Sequence, residues 1–176
     1  MIIDSAKMLA FSLRELSRPK IEPTGVNIIE GRAWPWLCDY QRHINNARYL
    51  EIMDFGRTQF FLRAGLVPTL AKHGIGGVTA ATQIIYRRPI DFMQTYRLET
   101  RLVGWDERWY LHEQHFLLAD GRVAAHAFIR SMLSDKKGTV SMEYVLREAG
   151  LPTHQEPWSD ELRTFLASTA EAARLC

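Results

Sequence analysis

A chain of 176 residues, 47% apolar and 24% charged, has the make-up of one ordinary globular domain, large enough to bury its own core. A net charge of +2, with arginines scattered rather than gathered into an aromatic-laced stripe, excludes nucleic acid as the expected partner. Cys38 and Cys176 supply neither a disulfide framework nor a metal-binding spacing, and no apolar run approaches the roughly 18 residues of a membrane span, so a reducing, cytoplasmic setting is expected.

In chain order, residues 1–16 read as a short amphipathic helix packed on the body or touching a membrane surface, and the breaker-rich run 18–25 reads as a linker. Residues 26–37 are β-rich, with Pro35 marking an edge or bulge near the end. Asn45 is a good N-cap for a helix over 46–64, where Tyr49, Leu50, Met53, Phe60, Phe61 and Ala64 recur at helical spacing. Ile52 and Phe55 broaden that stripe, so the helix should be buried on more than one side. Gly65 reads as its C′ residue and Pro68 as a stop. Gly56 costs about 1 kcal/mol relative to Ala in mid-helix, and is expected to admit another backbone at close range.

From Gly76 the period becomes twofold. Strands are expected over 78–88, 96–105, 109–118 and 122–134, the last three joined by tight turns at Asp106-Glu107-Arg108 and Ala119-Asp120-Gly121. A short helix over 142–149 and a surface helix over 159–174, capped by Ser159, close the chain. An apolar sheet face must cover something, and the only long apolar helix is the one that starts at Asn46. The expectation is an α+β fold, an antiparallel sheet wrapped round one long central helix. The division expected is an N-terminal helix and linker over 1–25, the domain proper over 26–150, and a C-terminal helical extension over 151–176.

The stretch from Asp39 to Tyr49 is the most informative. It sets a carboxylate beside a helix N-terminus, where unpaired N–H groups and the helix dipole favour developing negative charge. Such a layout suits hydrolysis of an activated acyl group.

These residues resemble the hotdog-fold acyl-CoA thioesterases of the 4-hydroxybenzoyl-CoA thioesterase type, in which an Asp-x-x-Gly-His-x-Asn-Asn-x-x-Tyr element leads into the central helix. Here it stands as Asp39, His43, Asn45, Asn46 and Tyr49, with Arg42 in the glycine position. Leu37 stands where a second acid is often found. The runs Ile85-Tyr86-Arg87-Arg88-Pro89-Ile90, Gly104 to Tyr110 and Asp120 to Ala125 look most like the branch containing thioesterase-superfamily member six.

The resemblance implies a hotdog fold that hydrolyses acyl thioesters of coenzyme A or an acyl carrier protein, without a cofactor, as a homodimer or dimer of dimers that hides its sheet edges. Asp39 is the expected catalytic group, as general base or nucleophile, and backbone N–H groups at Asn46 and Ala47 would polarise the carbonyl. His43, Asn46 and Tyr49 are expected to support loop and substrate. The plainer alternative is that Asp39 only caps its loop through backbone hydrogen bonds.

No metal site is expected, since His112 and His115 lie three apart on a strand and face opposite ways. Cys38 adjoins Asp39, whose charge would raise its pKa rather than activate it. Arg42, Arg48, Arg87 and Arg88 read as solvated charge. Two rival functions remain: a non-catalytic acyl-thioester or lipid-binding protein on the same scaffold, and a dehydratase. The dehydratase would want a histidine on the central helix, which has none.

Overall fold

Residues 19–172 are described by the computed structural model, so the expected N-terminal helix over 1–16 and Cys176 lie outside the described residues. β1 (Val26–Arg32) comes first, and the chain then leaves the ladder in a 3-10 turn (Pro35–Leu37). The strand expected through residue 37 is therefore cut short, because Pro35 has no N–H for a ladder and starts the turn instead.

α1 (Asn46–Arg63) is the long central helix. The Asn45 side chain accepts from Ala47 N–H at its start, and Gly65 follows its end at φ 73°. α1 buries Tyr49, Met53, Gly56, Gln59, Phe60 and Leu62. Gly56 makes room for side chains rather than for a backbone. A Cβ there would stand 2.8 Å from Leu98 Cδ2, and 2.9 Å from both Gln114 Nε2 and Thr100 Oγ1.

Pro68 does not stop the chain from coiling. It lies in the first turn of a second helix, α2 (Val67–His73), where a missing N–H costs nothing. Gly74, at φ 62°, ends α2.

β2 (Gly76–Tyr86), β3 (Thr95–Trp105), β4 (Trp109–Leu118) and β5 (Val123–Asp135) follow, all paired antiparallel in the order β1-β3-β4-β5-β2. β2 ends two residues earlier than expected, because the N–H groups of Arg87 and Arg88 both turn to the Ala124 carbonyl. The turns fall where they were expected. Asp106 Oδ1 accepts from Arg108 and Trp109 N–H, and Gly121 adopts φ 82°. A further hairpin, unforeseen, folds β6 (Gly138–Val140) onto the end of β5. α3 (Met142–Glu148), capped by Ser141, and α4 (Asp160–Ala172) complete the fold.

The core lies between α1 and the inner face of the sheet, with Met53, Phe60, Leu98, Phe116 and Ile129 all but fully buried. A polar seam runs through it. Gln114 Nε2 donates to Met53 O and Thr100 Oγ1, Gln114 Oε1 accepts from Arg57, and Asn27 Nδ2 donates to Gln59 Oε1. Every link uses a buried amide that would otherwise be costly. On the outer face, α4 lays Leu162 and Phe165 over Leu111 and Phe128. Among the described residues, no helix is long and apolar enough to cross a membrane.

Candidate active site

The chain between the 3-10 turn and α1 doubles back on itself. Asn45 N–H donates to Leu37 O at 2.9 Å, Cys38 and Ile44 form an isolated bridge, and Asp39 N–H donates to His43 O at 3.1 Å. Asp39 and His43 are thus the two arms of one tight loop, closed by Arg42 N–H on Asp39 O. The loop is pinned from outside as well: Ile44 N–H donates to Ile90 O, and His43 bridges Asp91.

Arg42 occupies the turn with φ 64°, the left-handed region. This explains why the motif it resembles has glycine there, since only glycine reaches that backbone without a Cβ clash. The arginine holds the conformation with its guanidinium 5.4 Å from the Phe92 ring, while its carbonyl accepts from Phe92 N–H.

The Asp39 carboxylate is partly exposed, and its Oδ1 accepts from Gln41 N–H at 2.9 Å. His43 Nδ1 lies 3.8 Å from the same oxygen, within ion-pair reach but too long for a hydrogen bond. The ring is held elsewhere, with Nε2 2.8 Å from Gln41 Oε1 and Nδ1 3.3 Å from Ile44 O. These contacts hold the His43 ring against its own loop. Burial pushes the Cys38 thiol up, with Asp39 and then Asp91 adding to the effect.

At the start of α1 the two proposed donors differ. Ala47 N–H is already taken by Asn45 Oδ1 at 2.9 Å, whereas Asn46 N–H donates to no described residue. Tyr49 points inward, 2% exposed, with its ring edge-on to Phe116 and Tyr86. Burial pushes its hydroxyl well above the usual phenol range. It is a core residue beneath the site.

Tyr86 was not singled out from the sequence. Its hydroxyl donates to Asn46 O at 3.1 Å, tying β2 to the first turn of α1. The run from Ile85 to Ile90 carried the signal, but without the register its reach could not be read. Arg48 is occupied by Glu51 at 2.7 Å, and Arg88 donates to Val123 O. A cleft of about 610 Å³ lies beside Arg32, Trp34 and Tyr96, and Asp39 is not in its lining.

A family model described as "Thioesterase-like superfamily" matches residues 33–164, which takes in the loop, α1 and the whole meander. The chain is 37% identical over 95 residues to Protein THEM6 of Drosophila melanogaster, covering 53% of this chain and 49% of that protein. It is 30% identical over 149 residues to Protein THEM6 of Danio rerio, covering 84% and 73%. The chain thus spans about half the length of the fly relative. It is also 28% identical over 113 residues to the long-chain acyl-CoA thioesterase FadM of Escherichia coli, covering 62% and 86%. Among solved structures, the probable thioesterase YbaW of Escherichia coli superposes with a TM-score of 0.61 at 26% identity, covering 69% of this chain and 94% of that one. With fold, loop and helix start all in agreement, the chain belongs to the thioesterase-like superfamily and has its hotdog fold.

Proposed function

We propose that this chain hydrolyses acyl thioesters, with acyl-coenzyme A ahead of acyl carrier protein as the substrate class. The observation that carries the reading is the Asp39 carboxylate held in a loop whose far arm runs directly into the start of α1. The kinship with FadM, whose name specifies long-chain acyl-CoA, supports the substrate class.

In the general-base form, Asp39 takes a proton from water as the water oxygen bonds to the thioester carbon. The carbonyl oxygen gains negative charge and is met by Asn46 N–H and the positive end of α1. The C–S bond then breaks, and the thiolate leaves without needing an acid. In the nucleophilic form, Asp39 attacks the carbon itself, and water cleaves the resulting anhydride. His43 positions the loop in both forms. Since Ala47 N–H already has an acceptor, Asn46 is the leading donor.

A homodimer belongs to this reading. β2 is an edge strand with Val78 55% and Ile85 53% exposed, and Leu50 on α1 is 46% exposed. A second copy paired along β2 would cover an unpaired edge and apolar surface together.

The Asx-type bond from Asp39 to Gln41 N–H favours one alternative, a binding protein in which Asp39 serves only its loop. An acyl-CoA panel with free thiol as readout, run on the native chain and on Asp39→Asn, separates the two. Hydrolysis that falls by ~100-fold or more in the variant supports catalysis. Hydrolysis that survives Asp39→Asn sinks the mechanism. Binding of acyl-CoA with no thiol release at any chain length identifies the binding protein.

A further inference from the structure

The outer face of the sheet, away from α1, carries a convergent set of donors that the thioester chemistry does not use. Glu113 and His115 stand two apart on β4, and His126 on β5 lies in register opposite His115. The two imidazoles stack with centroids 4.5 Å apart and planes 10° from parallel. Their Nε2 atoms approach one oxygen: Glu113 Oε1 is 3.1 Å from His126 and 3.8 Å from His115. One donor atom from each of the three residues falls within 4.8 Å of the others.

We propose that Glu113, His115 and His126 form a binding site for a borderline divalent transition metal of the zinc class, clipping β4 to β5. An ion about 2.0–2.2 Å from each of three tetrahedral donors needs them roughly 3.3–3.5 Å apart, so the donors must draw together and the two stacked rings must turn out of parallel until their Nε2 lone pairs converge. Two imidazoles and one carboxylate select zinc-like ions over magnesium or calcium, which demand oxygen ligands.

The surroundings are compatible. Arg101 and Arg97 both reach Glu99, which lies opposite His115 on β3, so a carboxylate offsets the nearest positive charges. Phe128 sets its ring against His126 at 4.7 Å and limits that imidazole's freedom. Glu113 also lines a cleft of about 410 Å³ under α4. The set was invisible to a reading along one strand: His112 and His115 do face opposite ways, and the partner of His115 comes from the neighbouring strand.

The test uses the full chain, free of any affinity tag, with both cysteines replaced by serine to remove competing thiols. Zinc chloride is titrated calorimetrically, and cobalt chloride is followed by visible absorption. The expected result is one zinc per chain, tetrahedral cobalt bands, and thermal stabilisation by zinc but not by magnesium. Glu113→Gln and His126→Asn, each checked for folding by circular dichroism, should each weaken zinc binding by at least ~10-fold and abolish the cobalt bands. His115→Asn provides a third variant should either of the others misfold. Absence of zinc binding overturns the site. So does binding unchanged in the variants, which would place the ion elsewhere, as at His73–Glu148 or His154–Glu156.

Discussion

Arg42 and Phe92 are joined twice, by the cation over the ring at 5.4 Å and by the Phe92 N–H on the Arg42 carbonyl at 2.8 Å. The pair holds a residue with a side chain in a left-handed backbone that costs roughly 1–2 kcal/mol. Arg42→Gly removes that strain and also a cation–π contact worth about 0.5–1 kcal/mol. In urea denaturation the variant should match the native unfolding free energy to within about 1 kcal/mol. Arg42→Val, β-branched at positive φ, should fall at least ~2 kcal/mol below the glycine variant. Equal stability of the two would refute the strain account.

At Gly56, α1 and the sheet approach closely. Ala is a better helix former by about 1 kcal/mol, yet its methyl would press on Leu98, Gln114 and Thr100 at once. Gly56→Ala should therefore lose ~2 kcal/mol net in chemical denaturation. A gain in stability would mean that the polar seam yields.

His112 is fully buried against Phe60, Phe61 and Tyr110, and neither ring nitrogen is hydrogen-bonded to any of the described residues. Burial, reinforced by Arg57, pushes its pKa from 6.5 down to about 3. The unfolded chain thus binds a proton that the folded chain refuses between those limits. This contribution to stability is complete above pH 6.5 and drains away as pH falls towards 3, by up to ~1.4 kcal/mol per pH unit. His112→Leu should flatten the acid limb of stability against pH. An unchanged slope would assign that limb to other groups.

Cys38 tests the charge of Asp39 without substrate. In a Cys176→Ser background, iodoacetamide should modify Cys38 slowly at pH 8, since burial and the two carboxylates disfavour its thiolate. Asp39→Asn removes one of those charges and should raise the rate about threefold. No acceleration would mean that Asp39 is too well solvated to act on its neighbour.

Ile85 lies on the open edge of β2. If two copies pair there, Ile85→Lys should convert a dimer to a monomer in sedimentation velocity, with secondary structure retained. A native chain that sediments as a monomer at all concentrations would remove the dimer from the functional reading.

What the sequence made legible follows the range of each physical cause. Asn45, Gly65, Asp106 and Gly121 act within three or four residues, and the elements they start or end are found where expected. Pro68 was ambiguous because the same missing N–H suits a stop and a first helical turn, and the three-residue β6 is too short to show a period. Asp39 and the start of α1 were visible as neighbours along one loop. His126 beside His115 depends on the register across the β4–β5 turn, which shifts between Phe116 and Leu117, and Tyr86 beside Asn46 depends on a strand docking against a helix 40 residues away; no local period encodes either.

The β1–β3 ladder pairs Val26 with Arg101 and so encloses α1 and the Asp39 loop within one long stretch of chain closed by hydrogen bonds. Closing such a circuit costs chain entropy that the local hairpins among β3, β4 and β5 do not incur. The meander can thus assemble early as a platform, while the loop reaches its final geometry only when the distant edge strand docks. In hydrogen exchange, the amides of Asp39, Ile44 and Asn45 should then open together with β1, in an event cheaper than global unfolding. Whatever loosens β1 would disarm the loop while leaving most of the sheet intact.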